Sequence, residues 1–237
     1  MLLSFGDPAP WVARLEAAGV PMICQVQTLR DGAHAADLGA AAIVAQGGEA
    51  GGHGERRGAM ALAPELRDWL DAHGHDTALA VAGGISDGRG LAAALALGAD
   101  GVMVGTRLWA SAEARVSPAM RAAALAATGD DTIRSTVMDV ARGLNWPERY
   151  GARVLRNAFT ERWHGREAAL RQAEAGVAAD WSAAWAAGDP VGSNTFVGEG
   201  IGLVRDIRPA GEIVAAIAAG AEAVLAGGWR RRRDGGA

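Results

Sequence analysis

Short apolar runs alternate with longer amphipathic segments along the first half of the chain. The apolar runs are four to seven residues long, the length of a buried strand, and they cover residues 2–5, 20–26, 40–44, 77–82 and 100–104. Segments with apolar residues at helical spacing lie between the runs, at a repeat of about 20 residues. This alternation predicts an α/β fold in which parallel strands are joined by right-handed helical crossovers.

Capping residues indicate where several of the helices begin. Thr28 is followed three residues later by Asp31, which is a variant of the capping box. Asp87 precedes a second helix, and Ser117 with Pro118 opens a third. Three further helices are predicted to begin at prolines, namely Pro8, Pro64 and Pro209.

Two stretches, residues 38–44 and 97–103, repeat the pattern of a glycine, a small residue and an apolar run. Such a pattern is typical of the repeated unit of a (β/α)₈ barrel. A closed barrel requires eight strands and the chain supplies about five, so we expect an incomplete TIM-type barrel made of about the last five βα units. Residues 219–225 show a similar pattern, and a strand is therefore the alternative for the end of the last predicted helix, residues 209–225.

The pattern changes after about residue 128. Residues 158–163 and 167–187 are predicted to be helices, and four of the eight tryptophans lie between positions 146 and 185. We interpret this part of the chain as a helical cap over the barrel, with a helical appendage that contacts no ligand as the alternative. The predicted organisation is a partial barrel (1–128), a helical cap or substrate domain (129–205), a C-terminal helix packing back on the barrel (206–228) and a basic flexible tail (229–237).

Composition and charge narrow the class of protein. The net charge is −4 over 237 residues, so no nucleic-acid partner is expected. No apolar run approaches about 20 residues, so no membrane span is expected. The first residues lack a signal-peptide pattern, so export is not expected either. The single cysteine, Cys24, lies in an apolar run and fits a cytoplasmic setting. No metal site is predicted, because His73 and His75 are interpreted as part of a solvated turn.

The candidate chemistry lies where three predicted strands end. Residues 47–54 contain five glycines and one imidazole, that of His53. The next two strands end in Gly83-Gly84 and in Gly105-Thr106. Because glycine lets the backbone approach a ligand closely, these strand ends predict a ligand site at the carboxyl edge of the sheet. Ordinary glycine turns with a surface histidine are the alternative.

These motifs resemble those of the nitronate monooxygenases. The resemblance covers essentially the whole chain and rests on residues 46–54, 82–90, 101–107, 145–147 and 198–202. It implies an FMN-binding (β/α)₈ barrel with a smaller helical substrate domain. It also implies that Ser4 and Phe5 lie in about the fourth strand of the family barrel, so that we expect a chain truncated at its N-terminus relative to the family.

The resemblance also implies roles for individual residues. His53 is implied to be the catalytic residue beside the reactive face of the flavin. The FMN phosphate is implied to lie at Gly84 and at residues 103–106, where this chain has Met103 in place of the glutamine usual in the family. The implied cofactor-binding residues are Gln46, Gly51, Gly52, Gly83, Gly84, Met103, Val104, Gly105 and Thr106.

The function implied is the FMN-dependent oxidation of alkyl nitronates by O₂ to a carbonyl compound and nitrite. His53 acts in this interpretation either as a base toward a nitroalkane or as a hydrogen-bond donor to the nitro oxygens. The partners are a small-molecule substrate and O₂, and the chain is compatible with a homo-oligomer. Two alternatives remain: an FMN-dependent enoyl-acyl-carrier-protein reductase, which shares a similar Glu-x-Gly-Gly-His loop, and an inactive remnant of a flavin barrel.

Overall fold

The protein is described here by a computed structural model that covers residues 1–173 and 175–228. Its strands form two separate sheets. In chain order the strands are β1 (Leu2–Ser4), β2 (Ile23–Val26), β3 (Ala42–Gln46), β4 (Gly52–Gly54), β5 (Ala78–Ala82), β6 (Gly101–Met103), β7 (Thr132–Ser135) and β8 (Gly151–Leu155).

The helices lie between the strands and after them. In chain order they are α1 (Val12–Ala17), α2 (Leu29–Asp37), α3 (Ala59–Ala72), α4 (Gly88–Ala96), α5 (Thr106–Trp109), α6 (Pro118–Ala126), α7 (Val137–Ala141), α8 (Ala158–Trp163), α9 (Glu167–Gln172), α10 (Ala175–Ala187) and α11 (Ala210–Ala223). Short 3₁₀ turns cover Ala9–Trp11, Gly129–Asp131 and Glu199–Leu203, and a single π turn covers Val224–Gly228.

The larger sheet is parallel and has the strand order β1-β2-β3-β5-β6. Its register places Gln25 beside Val44, Val44 beside Ala80 and Ala80 beside Gly101. The sheet packs against α2 and α3, where Ile43 of the central strand meets the apolar face of α3 in the main core. The predicted parallel α/β fold is confirmed. Within the described residues no ladder joins β1 to β6, and closure of a barrel stays a prediction.

The predicted capping residues are confirmed at three helices. The Thr28 hydroxyl oxygen accepts from the Asp31 N–H at 3.1 Å, and the Asp87 carboxylate accepts from the Arg89 N–H at 2.9 Å. The Ser117 hydroxyl oxygen caps α6 at 3.1 Å from the Met120 N–H. Each cap satisfies a backbone donor that a helix leaves unpaired at its first turn.

The start of α3 differs from the prediction. The helix begins at Ala59, five residues before Pro64, so that Pro64 lies inside it. Its first N–H group, that of Ala59, donates to the Glu49 carboxylate at 3.1 Å. This cap from the preceding loop, ten residues upstream, carries the helix start upstream of the proline. The helix thereby becomes attached to the glycine-rich segment 47–54.

The smaller sheet is the main correction to the predicted helical cap, residues 129–205. It is antiparallel, with the order β4-β8-β7, and it pairs His53 with Ala152 and Ile133 with Val154. The glycine-rich segment therefore contributes a strand, and the cap contributes two more. Both strands are only four or five residues long, too short for a clear alternating pattern. The predicted helices of this segment are present as α8, α9 and α10.

The last helix packs back on α4, and the strand alternative for residues 219–225 is wrong. A Cβ on Gly88 would lie 2.3 Å from a backbone atom of Gly220, so the two helix backbones touch. By length and composition alone, Ala210–Gly227 is apolar enough to span a membrane, with a mean hydropathy of 1.5. The expectation that no apolar run approaches about 20 residues is therefore wrong for this helix. The predicted basic tail, residues 229–237, lies outside the described residues.

Candidate active site

A cavity of about 280 Å³ opens at the carboxyl ends of β3, β5 and β6. Its lining includes most of the predicted cofactor-binding residues: Gln46, Gly51, Gly52, Gly83, Gly84, Met103, Gly105 and Thr106. Val104 and His53 are not among the residues that line it. The site therefore lies at the edge of the sheet where parallel α/β folds bind ligands. We call the three loops that line it, residues 47–52, 83–86 and 105–106, the glycine cradle.

Two adjacent glycines shape the middle of the glycine cradle. Gly83 has φ +113° and Gly84 has φ +70°, values that residues with a side chain rarely adopt. A Cβ on Gly83 would also lie 3.2 Å from the Ala50 nitrogen. Conformation and space thus both require glycine after β5, and the turn that results leaves backbone groups exposed to the cavity.

The segment 198–200 joins the three loops of the glycine cradle. The Gly198 N–H donates to the Thr106 hydroxyl oxygen at 2.8 Å, and the Glu199 N–H donates to the Glu49 carbonyl at 2.9 Å. The Ser86 hydroxyl donates to the Gly200 carbonyl at 2.8 Å. These contacts explain why the motif at residues 198–202 accompanies the other glycine motifs, since it fixes them relative to one another.

Two glycines of the cradle border open space instead of protein. A Cβ added to Gly52 or to Gly105 would meet no protein atom within 4 Å, although both residues line the cavity. Packing within the chain therefore does not explain glycine at Gly105, whose φ of −100° suits any residue. Close approach of a bound ligand to the backbone does explain it.

The Gln46 side chain makes two hydrogen bonds within the protein. Its amide nitrogen donates to the His53 carbonyl at 2.9 Å, and its amide oxygen accepts from the Gln27 side chain at 2.6 Å. Gln46 is buried, and these two bonds tie the end of β3 to β2 and to β4. Its predicted contact with flavin stays a prediction.

His53 lies in a corner built by side chains from distant parts of the chain. Its Nε2 atom lies 2.9 Å and 3.0 Å from the two carboxylate oxygens of Asp139. Its ring stacks on the indole of Trp146, with 3.8 Å between centroids and an angle of 8°. Only 13% of the His53 side chain and 3% of the Asp139 side chain are exposed. We call His53, Asp139, Trp146, Phe5 and Tyr150 the His53 corner.

Aromatic rings complete the His53 corner. Phe5 meets Trp146 and Tyr150 edge to face, with 5.1 Å between centroids in both pairs. Its φ of +65° makes it the non-glycine residue with a left-handed backbone among the described residues. Such strain is typical of residues that the surrounding structure holds at functional sites. Burial raises the pKa of the Tyr150 phenol.

Sequence reasoning missed Asp139, Phe5 and Tyr150 and treated Trp146 only as part of a motif. Asp139 lies 86 positions from His53, so no local spacing connects them. One signal was available: Asp139 is the single charge in the apolar run of residues 137–141. A carboxylate placed in such a run is buried and needs a partner.

Two arginines hold the backbone of the glycine-rich segment. Arg153 is mostly buried, donates to the Gly48 carbonyl at 3.0 Å and pairs with Glu199 at 2.8 Å. Burial lowers the pKa of the Arg134 guanidinium to about 10, and the nearby Arg153 charge acts in the same direction. The Arg134 guanidinium donates to the carbonyls of Gly48, Ala50, Gly52, Gly54 and Gly151.

No group of histidine, cysteine and acidic side chains in residues 1–173 and 175–228 is arranged to hold a metal ion. Arg107 pairs with Asp206 and not with Glu113, whose carboxylate instead caps α11 at the Ala210 N–H.

The parallel sheet and its glycine-lined cavity are typical of barrel-type α/β enzymes that hold a phosphorylated ligand at the carboxyl ends of their strands. The chain belongs to the nitronate monooxygenase family, whose model matches residues 1–220. The resemblance stated from the motifs is thereby confirmed.

Known relatives and solved structures agree with this assignment. A nitronate monooxygenase of Neurospora crassa is 36% identical over 216 residues, which cover 86% of this chain and 54% of that protein. FabK from Thermotoga maritima superposes with a TM-score of 0.78 at 27% identity, over 95% of this chain and 68% of that one. A nitroalkane oxidase of Streptomyces ansochromogenes gives a TM-score of 0.75 at 28% identity, over 95% and 65%. The chain thus spans about half the length of the Neurospora relative.

Proposed function

We propose that the glycine cradle binds FMN and that the site oxidises alkyl nitronates with O₂ to a carbonyl compound and nitrite. The observation that carries the proposal is the position of Gly105, a glycine that lines the cavity although neither its conformation nor its protein neighbours require one. Family membership and the nitroalkane oxidase neighbour support the reaction class. A cytoplasmic location and self-association belong to the same proposal.

The glycine cradle suits the phosphate end of FMN. Gly83, Gly84 and Gly105, in the turns after β5 and β6, line the cavity, and the backbone N–H groups of such turns are good partners for an anion. The Thr106 hydroxyl oxygen already accepts from the Gly198 N–H, which leaves its own proton free to donate to a phosphate oxygen. Open space beside Gly52 and Gly105 gives the ligand direct access to the backbone.

FMN, when bound, supplies the redox chemistry that nitronate oxidation requires. The chain's own task is to prepare and orient the substrate. With a nitroalkane as substrate, His53 removes the proton from the α-carbon. The C–H bond breaks, its electron pair moves toward the nitro group, and the nitronate forms. An imidazole is suited to this transfer near neutral pH because it exchanges a proton in that range.

The test begins with flavin binding. Purified protein is titrated with FMN and with riboflavin, and affinity is read from the quenching of flavin fluorescence. We expect FMN to bind at least about tenfold more tightly than riboflavin, because only FMN carries the phosphate. Equal affinities, or no binding of either flavin, would contradict the proposed cofactor site.

The reaction is then tested with an alkyl nitronate and with its parent nitroalkane under air. The expected products are nitrite and the carbonyl compound. The His53→Ala variant should lose about 10² to 10⁴ of its turnover on the nitroalkane and less on the preformed nitronate, which needs no deprotonation. NAD(P)H-dependent reduction of an enoyl thioester, without nitrite release, would favour the reductase alternative. An inactive chain that binds no FMN would favour the remnant.

A further inference from the structure

We propose that Asp139 is the positioning residue of His53: its carboxylate holds the imidazole in the Nε2–H tautomer and leaves Nδ1 as the nitrogen that accepts the substrate proton. The inference rests on the proposed function of His53 as a base. Asp139 itself touches no substrate in this scheme and acts only through the imidazole.

The geometry of the His53–Asp139 pair determines which ring nitrogen carries the proton. Both carboxylate oxygens of Asp139 lie within 3.0 Å of the same ring nitrogen, Nε2. An ionised carboxylate only accepts hydrogen bonds, so Nε2 must carry the proton that joins them. In a neutral imidazole one nitrogen is a donor and the other an acceptor. Nδ1 is therefore the basic nitrogen of the ring.

The packing around the His53 ring hinders its reorientation. Trp146 covers one face of the imidazole at 3.8 Å and nearly parallel. The Phe5 ring approaches edge-on, at 6.2 Å between centroids. The backbone of His53 is also held, because its carbonyl accepts from the Gln46 amide at 2.9 Å. A flip of the ring that brought Nδ1 to Asp139 would have to occur within this packing.

The nitrogen of the ring that does not face Asp139 is Nδ1. Nδ1 of His53 has no hydrogen-bond partner among residues 1–173 and 175–228, and His53 directly follows Gly52, which lines the cavity. When the α-carbon of a nitroalkane gives its proton to Nδ1, the ring becomes an imidazolium. Its positive charge then lies against the Asp139 carboxylate, which stabilises it.

The carboxylate of Asp139 has no competing structural task in the described residues. Its hydrogen bonds are those to His53, whereas the backbone of Asp139 bonds to Thr136 and Leu144 independently of the side chain. A substitution at the carboxylate therefore removes the constraint on His53 without removing a backbone hydrogen bond of α7. This separates a positioning role from support of the fold.

The experiment uses protein labelled with ¹⁵N-histidine and compares the wild type, Asp139→Asn and Asp139→Glu. Asp37→Asn is the matched control, since Asp37 pairs with His75 at 3.2 Å on the surface. Ring ¹⁵N shifts report the tautomer of each histidine. We expect a protonated Nε2 and an unprotonated Nδ1 at His53 in the wild type. In Asp139→Asn we expect a population of the Nδ1–H tautomer, because an amide both donates and accepts.

The kinetic arm compares turnover on a nitroalkane with turnover on its preformed nitronate. In Asp139→Asn the ratio of the two should fall by about 100-fold, because the charge that stabilises the imidazolium is lost and Nδ1 no longer serves as the base in the molecules that carry the Nδ1–H tautomer. Asp139→Glu keeps the charge and should restore part of the ratio. Asp37→Asn should change neither the ratio nor the tautomer of His53.

Two results would overturn the proposal. One is an unchanged tautomer of His53 in Asp139→Asn. The other is an equal loss of both turnovers in a folded variant that still binds FMN, because a purely structural role predicts that pattern. If the wild type oxidises no nitronate, the proposed function fails, and the ¹⁵N spectrum still decides by itself whether Asp139 sets the tautomer.

Discussion

The glycine cradle and the His53 corner meet where Gly52 is followed by His53, but they are built in opposite ways. The cradle is made of backbone: glycines at strand ends that line a cavity, and close contacts between loops. The corner is made of side chains, in which an imidazole is held by a carboxylate and an indole from another part of the chain. The first arrangement suits an anionic ligand, and the second suits a proton transfer.

The difference shows which kind of site a sequence reveals. Backbone sites require glycine at fixed places, so the cradle leaves a readable motif at each strand end. Side-chain sites require only that distant residues meet, and Asp139 reaches His53 through the antiparallel sheet of β4, β8 and β7. Substitutions in one region, or at a residue that contacts both, test this difference.

The largest effect is expected where both regions are held together, at Arg134. Its guanidinium donates to five carbonyls of the glycine-rich segment and of β8. Arg134→Ala leaves these acceptors without their buried donor, so the free energy of unfolding should fall by about 3 kcal/mol. Chemical denaturation followed by circular dichroism measures the change.

Two further variants make the Arg134 result specific. Arg134→Lys should recover little stability, because an ammonium cannot reach so many acceptors at once. Arg205→Ala, at an exposed position, should change the free energy of unfolding by less than about 0.5 kcal/mol. An Arg134→Ala protein as stable as Arg205→Ala would show that the guanidinium does not hold the segment.

A smaller effect is expected within the cradle, at Gly51. A Cβ there would lie 2.6 Å from backbone atoms of Val197 and Gly198, neither of which can move alone. Gly51→Ala should therefore lower the free energy of unfolding by about 2 kcal/mol. Gly176→Ala is the control: its Cβ meets nothing within 4 Å, and alanine inside α10 should stabilise by up to about 1 kcal/mol. Equal stability of the two variants would argue against the close contact.

The smallest effect concerns the burial of the His53 corner. Tyr150 is the single tyrosine of the sequence, so absorbance of the phenolate near 295 nm reports on it alone. Burial raises its pKa, and the folded protein should form phenolate only above the ordinary value of about 10. A raised pKa contributes stability that is present below about pH 10 and lost as the pH rises further. A titration with the same midpoint before and after unfolding in urea would contradict this burial.

The sequence predicted the parallel sheet and the positions of the cradle well, for physical reasons. Strand ends with Gly83-Gly84 and Gly105-Thr106 must form turns whatever surrounds them, and the capping residues Thr28 and Asp87 mark helix starts locally. The antiparallel sheet was not predicted, because its strands are short and their partners lie far apart in the chain. The early start of α3 was missed because its cap comes from Glu49 in the preceding loop and not from a residue next to the helix start.

The central claim is that the open space beside Gly105 belongs to a phosphorylated flavin, and FMN titration of three proteins tests it most directly. They are the wild type, Gly105→Ala and Gly101→Ala; a Cβ meets no protein atom within 4 Å at either glycine, but only Gly105 lines the cavity. We expect unchanged melting temperatures throughout, FMN affinity at least about tenfold weaker in Gly105→Ala, and wild-type affinity in Gly101→Ala. Equal FMN affinity in all three proteins would contradict the claim.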